Sequence, residues 1–135
     1  MYIFKRDYQV NDATLEEIWE AFTNEDAFEA WNGENAQIDD EVGRKLRMEF
    51  DGVRVWGENI TTRRPEFLSQ QWEFIDEDWK FKSMVTLRFS EFSSGVYVQV
   101  LHEDVPDERK DEVEELWREK IIGKLQTYFR NKEKK

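Results

Sequence analysis

PDERKDEVEELWREKIIGKLQTYF, residues 106–129, is the stretch whose reading decides the fold. Within it Val113, Trp117, Ile121 and Leu125 recur at every fourth position, and Leu116, Ile122, Tyr128 and Phe129 widen the stripe. That period belongs to a helix with one apolar face. Pro106 stands at its entry. Asp107, Glu108 and Asp111 crowd the first turns, and Arg130, Lys132, Lys134 and Lys135 close the end, an order that complements the helix dipole. At about 1.5 Å per residue the segment reaches roughly 36 Å, the width of a small domain. A helix of that length needs a broad apolar surface to lie on. Gly123 sits inside the pattern, where glycine costs about 1 kcal/mol relative to alanine. It marks either a bend or a close approach of another group.

The preceding chain reads as the surface that receives this helix. Tyr2, Phe4, Tyr8 and Val10 alternate with Lys5, Asp7 and Gln9, the pattern of a strand with one buried face, with Arg6 as its exception. Asn11 or Asp12 can cap a helix carrying Leu15, Ile18, Trp19 and Phe22. Asn24 caps a second short helix through Ala27, Phe28 and Trp31, which Gly33 ends. From Ala36 the period changes to two. Leu46, Met48 and Phe50 alternate with charged residues up to Asp51-Gly52, a strong two-residue hairpin signal. Strands follow at about Val53 to Ile60, Phe67 to Ile75 and Trp79 to Phe89, and then through Val96, Val98 and Val100. Arg63-Arg64-Pro65, Asp76 to Asp78 and Ser93-Ser94-Gly95 form the turns. The predicted fold is α+β: a curved antiparallel sheet of about six or seven strands wrapped around the long C-terminal helix, with two short helices after the first strand. Residues 1–135 are expected to form one domain, and the charged tail Asn131 to Lys135 a disordered end.

The chain has 135 residues, 39% hydrophobic and 38% charged, with 15% aromatic residues and a net charge of −11. The rings supply the burial that so charged a chain otherwise lacks. The acidity disfavours nucleic acid, whose binding needs clustered Lys and Arg, and disfavours an anionic membrane surface. The sequence has no cysteine, which excludes disulfides, thiolate catalysis and cysteine zinc sites. No apolar signal core opens the chain and no apolar run approaches 18 residues, so the expected location is cytoplasmic.

Catalytic patterns are sparse. His102 is the only histidine. By alternation it continues the Val96, Val98, Val100 face beside Glu103 and Asp104. It reads either as a base or metal ligand or as a structural group, but no second histidine completes a metal site, and no cofactor is expected. Glycine patterns for phosphate binding and a nucleophile elbow are absent. The ring set is more informative. Phe22, Trp31, Met48, Phe50, Trp72, Phe74, Val98, Trp117 and Ile121 are expected to face the space between sheet and long helix. They form either a packed core or the lining of a pocket for an apolar small molecule. Trp56 stays open: an Asp51-Gly52 turn points it outward beside Arg54 and Glu58, and a shifted register would bury it.

The order of these motifs resembles the START-like (Bet v 1-like, SRPBCC) superfamily, and more closely the family of the C-terminal domain of the activator of heat-shock protein 90 ATPase. The residues that carry the resemblance are Ala13 to Thr23 (ATLEEIWEAFT) for the opening helix, Gly43-Arg44-Lys45-Leu46 and Asp51-Gly52 for the first hairpin, and Gly57 in the strand after it. Gln71-Trp72-Glu73-Phe74, Val85 to Phe89, Trp117, and Leu125 to Phe129 complete it. The sequence departs from the family at Leu116, where a Gly often precedes the helix Trp, and at Asn32, where a second Trp often follows Trp31.

The resemblance implies a helix-grip fold and a non-enzymatic binding module, with a chaperone ATPase of the heat-shock protein 90 type as partner and Trp56 as a candidate partner surface. The eukaryotic activators also carry a separate N-terminal domain, for which this chain has no room, so a binding role is expected rather than full ATPase activation. The superfamily also implies a second reading, a carrier or sensor of a small hydrophobic ligand. A third is a cyclase- or dehydratase-like enzyme, for which only Arg6, His102 and Gln70 offer polar groups.

Overall fold

The computed structural model describes residues 1–76 and 80–133. Six strands form one antiparallel sheet in the order β1-β6-β5-β4-β3-β2. They are β1 (Tyr2–Asn11), β2 (Lys45–Phe50), β3 (Val53–Arg63), β4 (Phe67–Phe74), β5 (Phe81–Phe92) and β6 (Gly95–Val105). After β1 come α1 (Leu15–Thr23) and α2 (Glu25–Asn32). The sheet curves around a terminal helix built in sections: a 3₁₀ turn Asp107–Arg109, α3 (Lys110–Glu115), a π-helical segment Leu116–Gly123, and α4 (Lys124–Glu133). This is the α+β architecture that the periodicities imply, in the helix-grip form that the resemblance implies. The acidic turn expected at Asp76 to Asp78 and the strand start at Trp79 fall largely outside the described residues.

Each element follows from local chemistry. Thr14, not Asn11 or Asp12, caps α1. Its hydroxyl accepts the Glu17 N–H at 3.1 Å, and the Glu17 carboxylate accepts the Thr14 N–H at 2.9 Å, a reciprocal capping box. Asp12 is committed elsewhere: its φ is 65° and its N–H donates to the Ser94 carbonyl at 2.8 Å, holding the end of β1 to the β5–β6 turn. Asn24 caps α2 through its side chain, and Gly33 ends that helix in the left-handed conformation, as the sequence predicts. Asp51 and Gly52 both have positive φ, 49° and 89°, the two-residue hairpin geometry, and Phe50 pairs with Val53 across the turn.

The stripe at four-residue spacing is buried throughout: Val113, Trp117, Ile121 and Leu125 are each 0% exposed. In a regular α-helix four residues advance about 400°, so such a stripe drifts by about 40° per step. The π segment, with its wider turns, winds the stripe back, which keeps all four side chains on the sheet. Gly123 ends that segment. A Cβ at this position would stand 2.8 Å from the Arg118 carbonyl oxygen, five residues earlier. Glycine is there for close approach of the helix's own backbone. The helix then continues to Glu133, three residues into the charged tail, and Lys132 reaches Glu17 on α1 at 2.8 Å.

In an exposed regular helix Gly→Ala stabilises by about 1 kcal/mol. Here the sign reverses: Gly123→Ala is expected to destabilise by about 1–3 kcal/mol, the usual cost of forcing a methyl into occupied space. Urea unfolding of the two proteins measures it, and a stabilised variant would refute the close-approach account.

Candidate functional site

Four rings from four elements stack into a column beneath the terminal helix. Trp31 of α2 lies against Phe50 of β2 (centroids 6.5 Å), Phe50 against Trp72 of β4 (5.7 Å), and Trp72 against Trp117 of the π segment (5.3 Å, planes 15° apart). Phe28 meets both Trp31 and Phe50, and Phe22 stacks on Phe89. Phe74 packs edge-on to Trp72. The nine residues expected to face this space are all buried, Met48, Val98 and Ile121 included. Such offset stacks add to the area each ring removes from water. The rings therefore meet one another in the space that a ligand pocket would occupy.

A polar chain threads this apolar core. The Trp117 indole N–H donates to His102 Nδ1 at 3.0 Å, which makes Nδ1 an acceptor and leaves the proton of a neutral imidazole on Nε2. Nε2 then donates to Ser83 Oγ at 2.7 Å, and Ser83 donates to the Trp72 carbonyl at 3.1 Å. From the other side of the same tryptophan, Trp72 Nε1 donates to Gln70 Oε1 at 2.8 Å, and Gln70 Nε2 to Asn59 Oδ1 at 2.9 Å. Asn59 Nδ2 in turn donates to the carbonyls of Asp39 (2.8 Å) and Glu41 (3.0 Å). Every donor finds an acceptor, which is the condition for burying polar groups without penalty. Burial lowers the His102 pKa from 6.5 to about 3, so the imidazole is neutral at ordinary pH.

These contacts separate the three polar candidates. His102 is fully buried and bonded on both nitrogens, and neither Glu103 nor Asp104 is among its bonding partners. Gln70 belongs to the same chain. Arg6 points away from it, exposed and paired with Glu114 on α3 at 3.5 Å. Sequence reasoning missed Ser83 and Asn59. Each is a polar residue at an inward position of an otherwise apolar alternation, and that was the available signal. Among the described residues no three His, Asp or Glu side chains gather as a metal would require.

Asn32, where the family often has a second tryptophan, serves as a junction. Its amide donates to the Glu49 carbonyl at 2.7 Å, while Lys124 donates to Asn32 and, at 3.0 Å, to Asp51. One lysine at the start of α4 thus ties the terminal helix to the end of α2 and to the β2–β3 turn.

The hairpin register leaves Trp56 outside, 50% exposed. It stands in a row across the outer face of the sheet, opposite Arg47 on β2 and Glu73 on β4. The Arg47 guanidinium lies 5.6 Å from the centre of its ring. A surface cleft of about 450 Å³ opens here, lined by Gln37, Lys45, Arg47, Trp56, Gln71 and Glu73 among others.

The family model described as Activator of Hsp90 ATPase homolog 1-like protein matches residues 12–130. No curated protein matches the chain. Among solved structures, protein MLL2253 from Mesorhizobium loti is 17% identical with a TM-score of 0.79, over 96% of this chain and 98% of that one. An HSP90 activator from Plasmodium falciparum is 20% identical with a TM-score of 0.76, over 93% and 94%. The Aha1 dimer from Colwellia psychrerythraea is 13% identical with a TM-score of 0.75, over 91% and 92%. At these identities the structures establish a shared fold. Among the described residues no helix is long and apolar enough to cross a membrane.

The state of His102 sets a pH dependence. The unfolded chain takes up a proton near pH 6.5, and the folded chain refuses it until about pH 3. The unfolded state binds more protons in that window, so stability is full above it and falls as pH drops through it. The slope from this one group is at most about 1.4 kcal/mol per pH unit. His102→Gln keeps a donor and an acceptor but does not titrate. Denaturant unfolding between pH 6 and 4 is expected to show a slope shallower by about one proton in the variant.

Proposed function

Because the chain belongs to the family of Activator of Hsp90 ATPase homolog 1-like proteins, we propose that it is a non-enzymatic, cytoplasmic protein-binding module whose partner is a chaperone ATPase of the Hsp90 type. The observation that carries this reading is Trp56. Trp56 stands half-exposed between buried Val55 and half-buried Gly57, and burial of tryptophan and arginine dominates many protein interfaces. Arg47 over the ring and the adjoining cleft give Trp56 the features of a contact centre: a large flat apolar face, a held guanidinium, and polar groups at the margin. The interior supports the same reading, since His102 and Gln70 spend their bonding capacity on neighbouring side chains. The carrier reading asks for room beneath the terminal helix, where Trp72 and Trp117 stack, and it requires one of those rings to swing away.

Titration of the chain into an Hsp90-type chaperone, followed by calorimetry and by ATPase rate, tests the proposal. Saturable binding with a changed rate is expected, and neither binding nor a rate change would overturn it. Trp56→Ala is expected to weaken binding by about tenfold or more and to leave unfolding stability within about 0.5 kcal/mol, as for other surface substitutions.

A further inference from the structure

A second cationic cluster lies on the same outer face, toward the other end of β4. Phe67 pairs with Arg63 on β3 and with Arg88 on β5, so the three side chains form one cross-strand row. The two guanidinium carbons stand 4.9 Å and 4.8 Å from the centre of the Phe67 ring. The arrangement runs against the composition of the chain, in which 31 acidic residues face 20 basic ones. Most other arginines use that excess: Arg6 pairs with Glu114, Arg44 with Asp39, Arg54 with Asp76, Arg64 with Glu16 and Glu20, Arg109 with Glu112, and Arg118 with Glu114. Among the described residues neither Arg63 nor Arg88 has a carboxylate partner. Two like charges, one from each neighbouring strand, are held against one ring that stands between them in the row, and among the described residues their planar donor forks remain unused. They line a surface cleft of about 300 Å³ together with Arg64, with Glu66, whose carboxylate is its one acid, and with Ser90 and Gln99, whose hydroxyl and amide add donors.

We propose that this row is a docking site for an acidic peptide segment of a partner protein. Arg63 and Arg88 receive its carboxylates through their forks, and the peptide stems lie along Phe67. Charge complementarity selects the occupant. A nucleic acid or an anionic membrane would set its whole field against a net charge of −11. A short acidic segment places a few carboxylates directly on the two guanidiniums, while the more distant acids are screened beyond about 8–10 Å. The site is separate from Trp56. Its row crosses β4 at Phe67, and the Trp56 row crosses it at Glu73, six residues or roughly 20 Å away. The proposal therefore stands or falls independently of the chaperone reading.

Fluorescence anisotropy with a short fluorescein-labelled peptide of alternating Glu and Gly, titrated with the full chain at about 0.1 M salt, where the distant acids are screened, tests it. Saturable binding is expected, weakened by about tenfold or more in Arg63→Gln/Arg88→Gln. Arg63→Lys/Arg88→Lys keeps the charge but loses the forks, and is expected to weaken binding severalfold. Lys5→Gln/Arg130→Gln removes the same charge elsewhere and is expected to leave the affinity unchanged. All four positions are exposed, and thermal melts confirm that the variants fold. The proposal is overturned by absence of saturable binding, or by equal loss in the Lys5/Arg130 control, which would make the effect bulk electrostatics. Tighter binding of inorganic phosphate or of single-stranded RNA through the same two arginines would also overturn it.

Discussion

The face-to-face contact between Trp72 on the sheet and Trp117 on the terminal helix is the constraint around which the molecule is arranged. Two large rings at 5.3 Å with planes 15° apart fix both the height of the helix above the sheet and its rotation about its own axis. The indole N–H of Trp117 fixes the rotation further, because it must find an acceptor once buried, and His102 on β6 supplies one. Trp72 has the same need and is answered by Gln70 on its own strand. Apolar stacking brings the elements together, and the Trp117–His102 bond ties the helix to the sheet at that contact.

That constraint explains the irregular winding of the helix. In a uniform α-helix with an apolar residue at every fourth position, Val113 and Leu125 would stand about 40° and 80° round from Trp117, towards the edges of one broad face. The chain instead widens its turn between Leu116 and Gly123, and glycine admits the Arg118 carbonyl where a methyl would not fit. Immediately after this segment Lys124 anchors the helix to Asn32 and Asp51. The loosest winding thus carries a stacked tryptophan near its start and is followed by a bonded lysine. The ring column also accounts for the two short helices, since α2 contributes Trp31 to it and α1 contributes Phe22 to the adjoining stack on Phe89.

Stacking and a chain of hydrogen bonds hold the interior beneath the terminal helix, and on the outer side of the sheet several arginines keep unspent donors. The chain is strongly acidic and six of its arginines are engaged by carboxylates. Arg47, Arg63 and Arg88 instead rest on rings, Trp56 and Phe67, that the alternation turns outward. A cation held on a ring keeps its hydrogen-bond donors directed at whatever arrives. The same fold is shared by chains at under 25% identity.

The sequence by itself determined the elements, their order and their inward faces. Alternation and fourth-residue spacing are local consequences of backbone geometry, and they named each residue of the ring column and placed His102 on the core side. The Asp51-Gly52 turn supplied one of two registers for Trp56, and the turn's positive φ angles selected it. Other features depended on partners distant in sequence. Asn11 and Asp12 offer cap chemistry for α1, but Thr14 is the cap, and Asp12 is drawn to the Ser94 carbonyl, more than eighty residues away. The π segment could not be read from a stripe that a regular helix would also present. The tertiary structure alone decided which rings stack on one another, and which side chains accept the two indole protons. Strand pairing sets Ser83 beside His102 and Asn59 beside Gln70, and no local pattern encodes which strands become neighbours.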